Sequence, residues 1–171
     1  MAVYTKINKS DLTSINRKFN FENFQSFKGI KQGIENTNYL LKSKNKKFIL
    51  TIFEKRVVKK EIPFFMKLMD QLSNLNINCP KPLKNNQGHY LIKVKNKIAC
   101  VVTFLDGKDK KKLNLKNCFD IGKTIAQMHL STKKLKLYRK NSMGIKNLNP
   151  LLNSIKFKSK KFINLEKFLK T

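Results

Sequence analysis

The sequence predicts an α+β fold: an antiparallel sheet of about five strands with a packed helix, followed by a helical region. Two regions, 24–53 and 90–104, are rich in aromatic and β-branched residues and are interrupted by turn residues. Between them, 64–75 has apolar side chains at spacings of three and four, which is typical of an amphipathic helix. A lysine-rich run changes the composition after residue 105. We therefore predict domains at 1–105 and 106–171.

The first predicted element is a short helix over 11–19. Ser10 is expected to cap its N-terminus through the side-chain oxygen, and Asp11 places a negative charge in the first turn, where the helix dipole favours it. Its apolar face consists of Leu12, Ile15 and Phe19.

Three strands are predicted next. The first opens at Phe24 and is broken at Gly33, and the other two span 38–42 and 48–53. In the turn that joins the first two strands, glycine allows the main chain to approach a ligand closely, and Asn36 and Asn38 can brace a tight loop. An ordinary hairpin turn explains the same residues and stays open at this point.

A helix follows, with Pro63 in its first turn, where a helix tolerates proline. Its predicted apolar stripe, which should pack on the sheet, consists of Phe64, Phe65, Leu68, Met69, Leu72 and Leu75. Two more strands are predicted at 90–94 and 98–104, and the second carries so little charge that both of its faces should be buried. Beyond the lysine run, the pattern predicts a helix over 115–130 and one or two helices within 148–169.

The chain is strongly basic, with 38 Lys and Arg residues against 10 Asp and Glu residues and a formal net charge of +28. Such an excess by itself points to nucleic acid or anionic membranes. Nearly all of it is lysine, however, spread along the chain beside abundant asparagine and isoleucine. A specific phosphate-binding surface would cluster its charge and use arginine. We interpret the charge as a solvated surface encoded by AT-rich codons, and keep a basic nucleic-acid-binding protein as the less favoured alternative.

No apolar run approaches the roughly 20 residues of a membrane span, and the first residues lack the apolar core of a secretory signal. We therefore expect a cytoplasmic protein without a membrane partner. Its three cysteines, Cys79, Cys100 and Cys118, match no metal-ligand spacing and are expected to be reduced thiols.

Several motifs together resemble one family. They are, in chain order, MAVYT, GIKQGIENTNYLL, FILTIFEKR, PFFMKLMDQLS, NCPKP, VVTFLDG and IGKTIAQMHL. This series closely resembles the homoserine kinases of the aminoglycoside-phosphotransferase-like superfamily, and the resemblance runs from Met1 to about Pro150. It implies a protein-kinase-like small lobe, a hinge, and the first helices of an incomplete large lobe.

The resemblance also implies an activity. ATP, with Mg²⁺ bridging its phosphates, would phosphorylate the hydroxyl of L-homoserine, a step toward threonine. A different small-molecule kinase of the same fold, acting on choline, an aminoglycoside or a sugar, stays open as an alternative, because substrate contacts lie mostly outside the matched portion.

Site residues are carried over only where the motifs match. Gly33 and Asn36 match the family's phosphate-covering Gly-x-x-Asn turn, and Asn38 lies at the end of that turn. Main-chain amides of such a turn would hold phosphate oxygens. The hinge, whose main-chain groups would bind adenine, matches Thr103, Phe104 and Leu105.

The sequence departs from the superfamily's pattern on the third strand. Thr51 stands where a basic residue is often found, and Lys55, four residues on, is either its substitute on the same strand face or a solvated residue. The acidic partner would fall near Phe65, and Glu61 is the only carboxylate nearby. A Lys55–Glu61 clamp on phosphate is therefore a hypothesis. His129 matches a segment in which the histidine is usually structural, so we expect it in the core.

Phosphoryl transfer needs an aspartate that accepts the hydroxyl proton and further residues that hold Mg²⁺. In the family these follow the Leu-His helix, but 130–171 contains no aspartate, and Glu166 is its only carboxylate. We therefore predict no catalytic residue and no metal ligand in this chain, which resembles the N-terminal portion of the enzyme. Alone, it should bind nucleotide weakly at best and transfer no phosphate.

Overall fold

A computed structural model of the chain describes residues 3–22, 24–55, 57–141 and 144–154. The chain divides into two compact units, Met1–Leu137 and Tyr138–Thr171. The predicted domain boundary after residue 105 falls inside the first unit, and it stays a prediction.

Among the described residues, the first unit contains three α-helices, five strands and a short 3₁₀ turn at Lys59–Glu61, and the second contains one α-helix. In chain order they are α1 Lys9–Phe19, β1 Phe24–Gly29, β2 Thr37–Ser43, β3 Lys47–Ile52, α2 Ile62–Asn74, β4 Leu91–Val94, β5 Lys97–Thr103, α3 Leu115–Thr132 and α4 Ile145–Ser154. This order confirms the predicted succession of helices and strands.

The five strands form one antiparallel sheet in the order β1-β2-β3-β5-β4. The predicted α+β class and strand number are therefore confirmed. β5 lies between β3 and β4, and its central residues 99–102 are all buried, as their apolar sequence predicted. Residues 81–83 hydrogen-bond to the same edge of β5 as β4, next to the Leu91 end of that strand. The amide of Leu83 donates to the carbonyl of Val101, and the amide of Thr103 donates to the carbonyl of Lys81.

The sheet buries apolar side chains on both faces, since alternate residues of a strand point to opposite faces. One face packs against α1 and the segment before it, with a core that includes Leu12, Ile15, Tyr39, Leu41, Leu50, Ile52 and Val101. The other face packs against α2, with a core of Ile62, Met66, Cys100 and Val102. The predicted packing of this helix on the sheet is confirmed. Its stripe is shifted, however, because Phe65 and Leu75 are exposed and Ile62 and Met66 are buried instead.

Two predicted boundaries are wrong for local reasons. Asn8, not Ser10, caps α1. The side chain of Asn8 accepts from the main-chain amide of Asp11, and the side chain of Asp11 accepts from the main-chain amide of Asn8. Each side chain thus satisfies the main-chain amide of the other residue. The connection of β4 to β5 is a turn of two residues, Lys95 and Asn96, both with positive φ, which suits a tight hairpin.

Helix α3 is confirmed, but none of its residues is buried. Its apolar residues Phe119 and Ile125 are 70% and 45% exposed. His129 is also exposed, so its expected place in a core is wrong. In the second unit, α4 begins before the predicted 148, and the part of that prediction beyond 154 lies outside the described residues. None of the described helices is long and apolar enough to cross a membrane.

Candidate functional site

The loop between β1 and β2, residues 30–36, lies at one end of the sheet. At its base the amide of Ile30 donates to the carbonyl of Asn38 at 2.9 Å. Gly33 has a φ of +99°, a conformation that favours glycine, and no other residue comes within 4 Å of where its Cβ would lie. Glycine is therefore required here by main-chain conformation and not by close packing. Residues 31–35 are exposed, and the loop can meet a ligand.

Two rows of side chains run across the sheet beside this loop. Asn38 pairs with Thr51 and Thr51 with Cys100, so these three residues lie on the face that packs against α2. The Thr51 hydroxyl donates to Asn38 Oδ1 at 2.8 Å. The next row on the same face is apolar and consists of Leu40, Ile49 and Val102. The structure thus brings Asn38 and Thr51 together next to the loop.

The predicted hinge begins where β5 ends, at Thr103, so Phe104 and Leu105 lie outside the strand. The Phe104 amide donates to the carbonyl of Lys47 at 3.2 Å, and the Lys47 ammonium lies 5.1 Å from the Phe104 ring centroid. The same ammonium lies 3.0 Å from a carboxylate oxygen of Asp106. Within the described part of the chain, the Leu105 amide donates to no protein acceptor, which leaves it able to bind a ligand.

The structure separates Lys55 from Thr51. Because β3 ends at Ile52, Lys55 lies in a turn beyond the strand, and its expected place on the same strand face is wrong. Glu61 ends the short 3₁₀ turn that leads into α2. No ion pair joins Lys55 to Glu61 in the described ranges, and the clamp stays a prediction.

A largely buried carboxylate that the sequence motifs did not indicate lies beside Lys55. Glu54 is only 9% exposed at its side chain, and its Oε2 forms an ion pair with Lys97. Its Oε1 accepts from the hydroxyls of Thr5, at 2.6 Å, and Thr37, at 2.7 Å. Burial alone would raise the pKa of Glu54, but the hydrogen bonds from Lys97, Thr5 and Thr37 and the charge of Lys97 outweigh it, and the pKa is lowered.

Glu54 and its partners could not be found from spacing, because Glu54 and Lys97 are 43 residues apart in sequence. The only signal was a carboxylate directly after a buried strand. A cavity of about 330 Å³ opens beside this group, between the loop and the turn after β3. It is lined by Tyr4, Ile34, Glu35, Glu54, Lys55 and Lys97.

A metal would need carboxylate, imidazole or thiolate ligands close together. Among the described residues, no group of three His, Cys, Asp or Glu side chains could hold a metal ion.

The architecture corresponds to a known class of fold. Two structures of spectinomycin phosphotransferase, one in complex with ADP and spectinomycin and one bound to AMP, match 96% of this chain and 53% of their own, with TM-scores of 0.62 and 0.58. Their sequence identities are 12% and 15%, so they show the fold alone. The chain has the fold of the N-terminal lobe of a kinase-like aminoglycoside phosphotransferase.

The family follows from the sequence. A family model described as "Phosphotransferase enzyme family" matches residues 26–151, and the chain belongs to this family. Curated relatives include a protein from Parvibaculum lavamentivorans, 34% identical over 154 residues, and one from Bradyrhizobium diazoefficiens, 36% identical over 154 residues. Both are named homoserine kinase. The matches cover 90% of this chain but 48% and 47% of the relatives, so the chain spans about half of their length.

Proposed function

We propose that the chain is the nucleotide-binding lobe of a small-molecule kinase, with ATP as its nucleotide and L-homoserine as the acceptor. One observation carries the proposal: a glycine-containing loop stands beside a polar row and an apolar row on one sheet face, and β5 leads from that face into the hinge. A nucleotide offers the same order of chemistry, since it has phosphates at one end and a planar base at the other.

Each part of the site has a role in this proposal. The apolar row of Leu40, Ile49 and Val102 contacts the adenine ring, and the main chain of residues 103–105 pairs with its edge, using the Leu105 amide. Exposed main-chain amides on either side of Gly33 donate to phosphate oxygens, which are held best by several amides that point to one place.

The polar side chains serve the phosphates. Asn38 donates to a phosphate from the face of the sheet through its side-chain nitrogen. Thr51 holds Asn38 in place, because its hydroxyl donates to Asn38 Oδ1, and Asn36 braces the loop. Lys55 is exposed beside the loop and can bring its ammonium to a phosphate from the turn after β3. Glu61 then orients Lys55 when the nucleotide is bound.

This lobe lacks the groups that complete the reaction. Mg²⁺ would supply charge to the phosphates, and residues 130–171 contain no aspartate that could accept the acceptor's proton. We therefore infer that the 171-residue chain alone binds ATP weakly and transfers no phosphate.

Homoserine is supported as the acceptor by the names of the curated relatives, which match over most of this chain. The reaction would be a step of threonine biosynthesis in the cytoplasm. An aminoglycoside is the runner-up, because spectinomycin phosphotransferase shares the fold at lower identity.

A pair of chimeras tests the nucleotide-binding role and whether this lobe pairs with the rest of a homoserine kinase. Residues 1–137 replace the corresponding half of the Bradyrhizobium homoserine kinase in one chimera and of spectinomycin phosphotransferase in the other. We expect phosphohomoserine from the first chimera and no phosphorylated spectinomycin from the second. In the first, Lys55→Met should raise KM for ATP about tenfold or more, since it removes a charge that contacts phosphate. Lys93→Met, an exposed substitution on β4, should not.

The outcomes distinguish an error in the proposed nucleotide-binding role from an error in the proposed acceptor. If both chimeras fold and neither binds ATP, the nucleotide-binding role is wrong. If only the spectinomycin chimera is active, the nucleotide-binding role stands, but this lobe does not pair with the acceptor-binding half of a homoserine kinase, and homoserine loses its support as the acceptor.

A further inference from the structure

We propose that Glu54, Lys97 and Thr37, together with Tyr4 and Thr5 in the segment before α1, position the loop 30–36 and thereby set its affinity for phosphate. These five residues are called the loop support below. The inference deepens the proposed function and rests on it. The loop support does not contact the nucleotide, and its members are positioning residues.

The hydrogen bonds of the loop support allow only one arrangement of protons. A hydroxyl has one proton to donate. Thr37 donates it to Glu54, and its oxygen accepts from the main-chain amides of Tyr4, at 3.0 Å, and Thr5, at 3.1 Å. Thr5 likewise donates to Glu54 and accepts from Lys97 at 2.8 Å. Because Thr37 is fully buried, breaking any of its bonds would leave a buried polar group without a partner, which lowers the free energy of unfolding.

Two contacts connect this group to the loop. The Tyr4 hydroxyl donates to the carbonyl of Ile34 at 3.0 Å, and the amide of Glu54 donates to Asn36 Oδ1 at 3.3 Å. Thr37 itself directly follows the loop. The second half of the loop is thus attached at positions 34 and 36 and by Thr37, which follows it, whereas no hydrogen bond from the described residues holds residues 31–33.

This arrangement has a consequence for binding. A loop that is ordered before the ligand arrives loses less conformational entropy on binding than a free loop. The loop support therefore increases affinity by limiting the positions of Gly33 and its neighbours. A purely structural role for the same residues would stabilise the sheet without affecting the loop.

The test uses the full chain and two measurements. One is hydrogen exchange of the Ile30 amide, which donates to the carbonyl of Asn38 at the base of the loop and is called loop exchange below. The other is isothermal titration with ATP. Thr37→Val keeps the shape but removes the hydroxyl. We expect about tenfold faster exchange in the loop and an ATP Kd raised about tenfold. Thr37→Ser, which keeps the hydroxyl, should behave like the wild type in both measurements. Tyr4→Phe should show a smaller change in the same direction.

Matched controls separate positioning from general destabilisation. Ile15→Val removes a buried methyl from α1, far from the loop in sequence, and should lower the unfolding temperature without changing loop exchange or Kd. Tyr138→Phe, at a tyrosine that is 87% exposed, is the control for Tyr4→Phe. Because Tyr4 is itself 56% exposed, Tyr4→Phe should fold even if Thr37→Val does not.

The inference is overturned if loop exchange is unchanged in Thr37→Val and Tyr4→Phe. It is also overturned if Ile15→Val accelerates loop exchange as much as Thr37→Val does. Faster loop exchange with an unchanged ATP Kd overturns it as well. A wild-type chain that shows no saturable ATP binding counts against the proposed function, and in that case the exchange comparison still decides whether the loop support positions the loop.

Discussion

The five-stranded sheet and α3 both carry apolar side chains at the spacing of their secondary structure, but only the sheet buries them. Leu41, Leu50 and Val101 are 0% exposed in the sheet, whereas Leu115 and Phe119 of α3 are 91% and 70% exposed. The difference shows that the spacing of apolar residues predicts whether a segment forms a helix or a strand, but not whether its apolar side is buried. Burial additionally requires a second element that packs against the apolar side, and α1 and α2 provide it for the sheet.

The largest expected difference between the two regions is in stability. Leu50→Ala should lower the free energy of unfolding by about 2 to 5 kcal/mol, because it leaves a cavity in a fully buried position. Leu115→Ala, in α3, should change it by no more than about 0.5 kcal/mol. Chemical denaturation followed by circular dichroism measures both. Equal losses would show that α3 has a packing partner in solution.

Thiol reactivity gives a second comparison. Burial raises the pKa of Cys100, on β5, to about 12, and only 2% of this residue is exposed. Cys118, on α3, is exposed. In a Cys79→Ala background, a thiol reagent at neutral pH should label Cys118 at least about 100-fold faster than Cys100, since Cys100 must first be uncovered. Mass spectrometry of the labelled peptides gives both rates, and comparable rates would mean that β5 opens readily.

The smallest of the three effects concerns pH. Glu54 has a pKa below its ordinary value of 4.5, so its ionised form stabilises the fold above that pH. This contribution is lost as the pH falls through the lowered pKa of the folded state. Glu54→Gln should lower the free energy of unfolding at pH 7 by about 1 to 3 kcal/mol, and the difference from the wild type should shrink as the pH falls below 4.5.

Asp120→Asn is the matched control for Glu54→Gln, because Asp120 is an exposed carboxylate on α3. It should change stability by no more than about 0.5 kcal/mol at either pH. A Glu54→Gln difference that stays constant from pH 7 to pH 3 would contradict the assigned role of the carboxylate charge.

Much of the fold could be predicted because its signals are local. Aromatic and β-branched residues marked β2 and β3, an uncharged apolar run marked β5, and a three-to-four spacing marked α2. The errors arose where two local signals compete. Ser10 and Asn8 are both good capping residues, and the reciprocal bond with Asp11 selects Asn8. Lys55 was expected on β3, but the strand ends earlier, at Ile52.

The candidate site was predictable only in part. The loop at Gly33, the neighbours Asn38 and Thr51, and the hinge that begins at Thr103 follow from motifs within short segments. The roles of these residues stay predictions, to be decided by the chimeras and the titrations.

The sequence by itself determined the order of helices and strands, the glycine at the loop and the family, because each depends on residues close together in the chain. Only the tertiary structure decided that Glu54 is buried against Lys97, Thr5 and Thr37, and that α3 has no buried residue. The physical reason is that a hydrogen bond or a buried contact requires two groups to meet in space. Strand register and packing, which bring distant segments together, exist only in the folded chain.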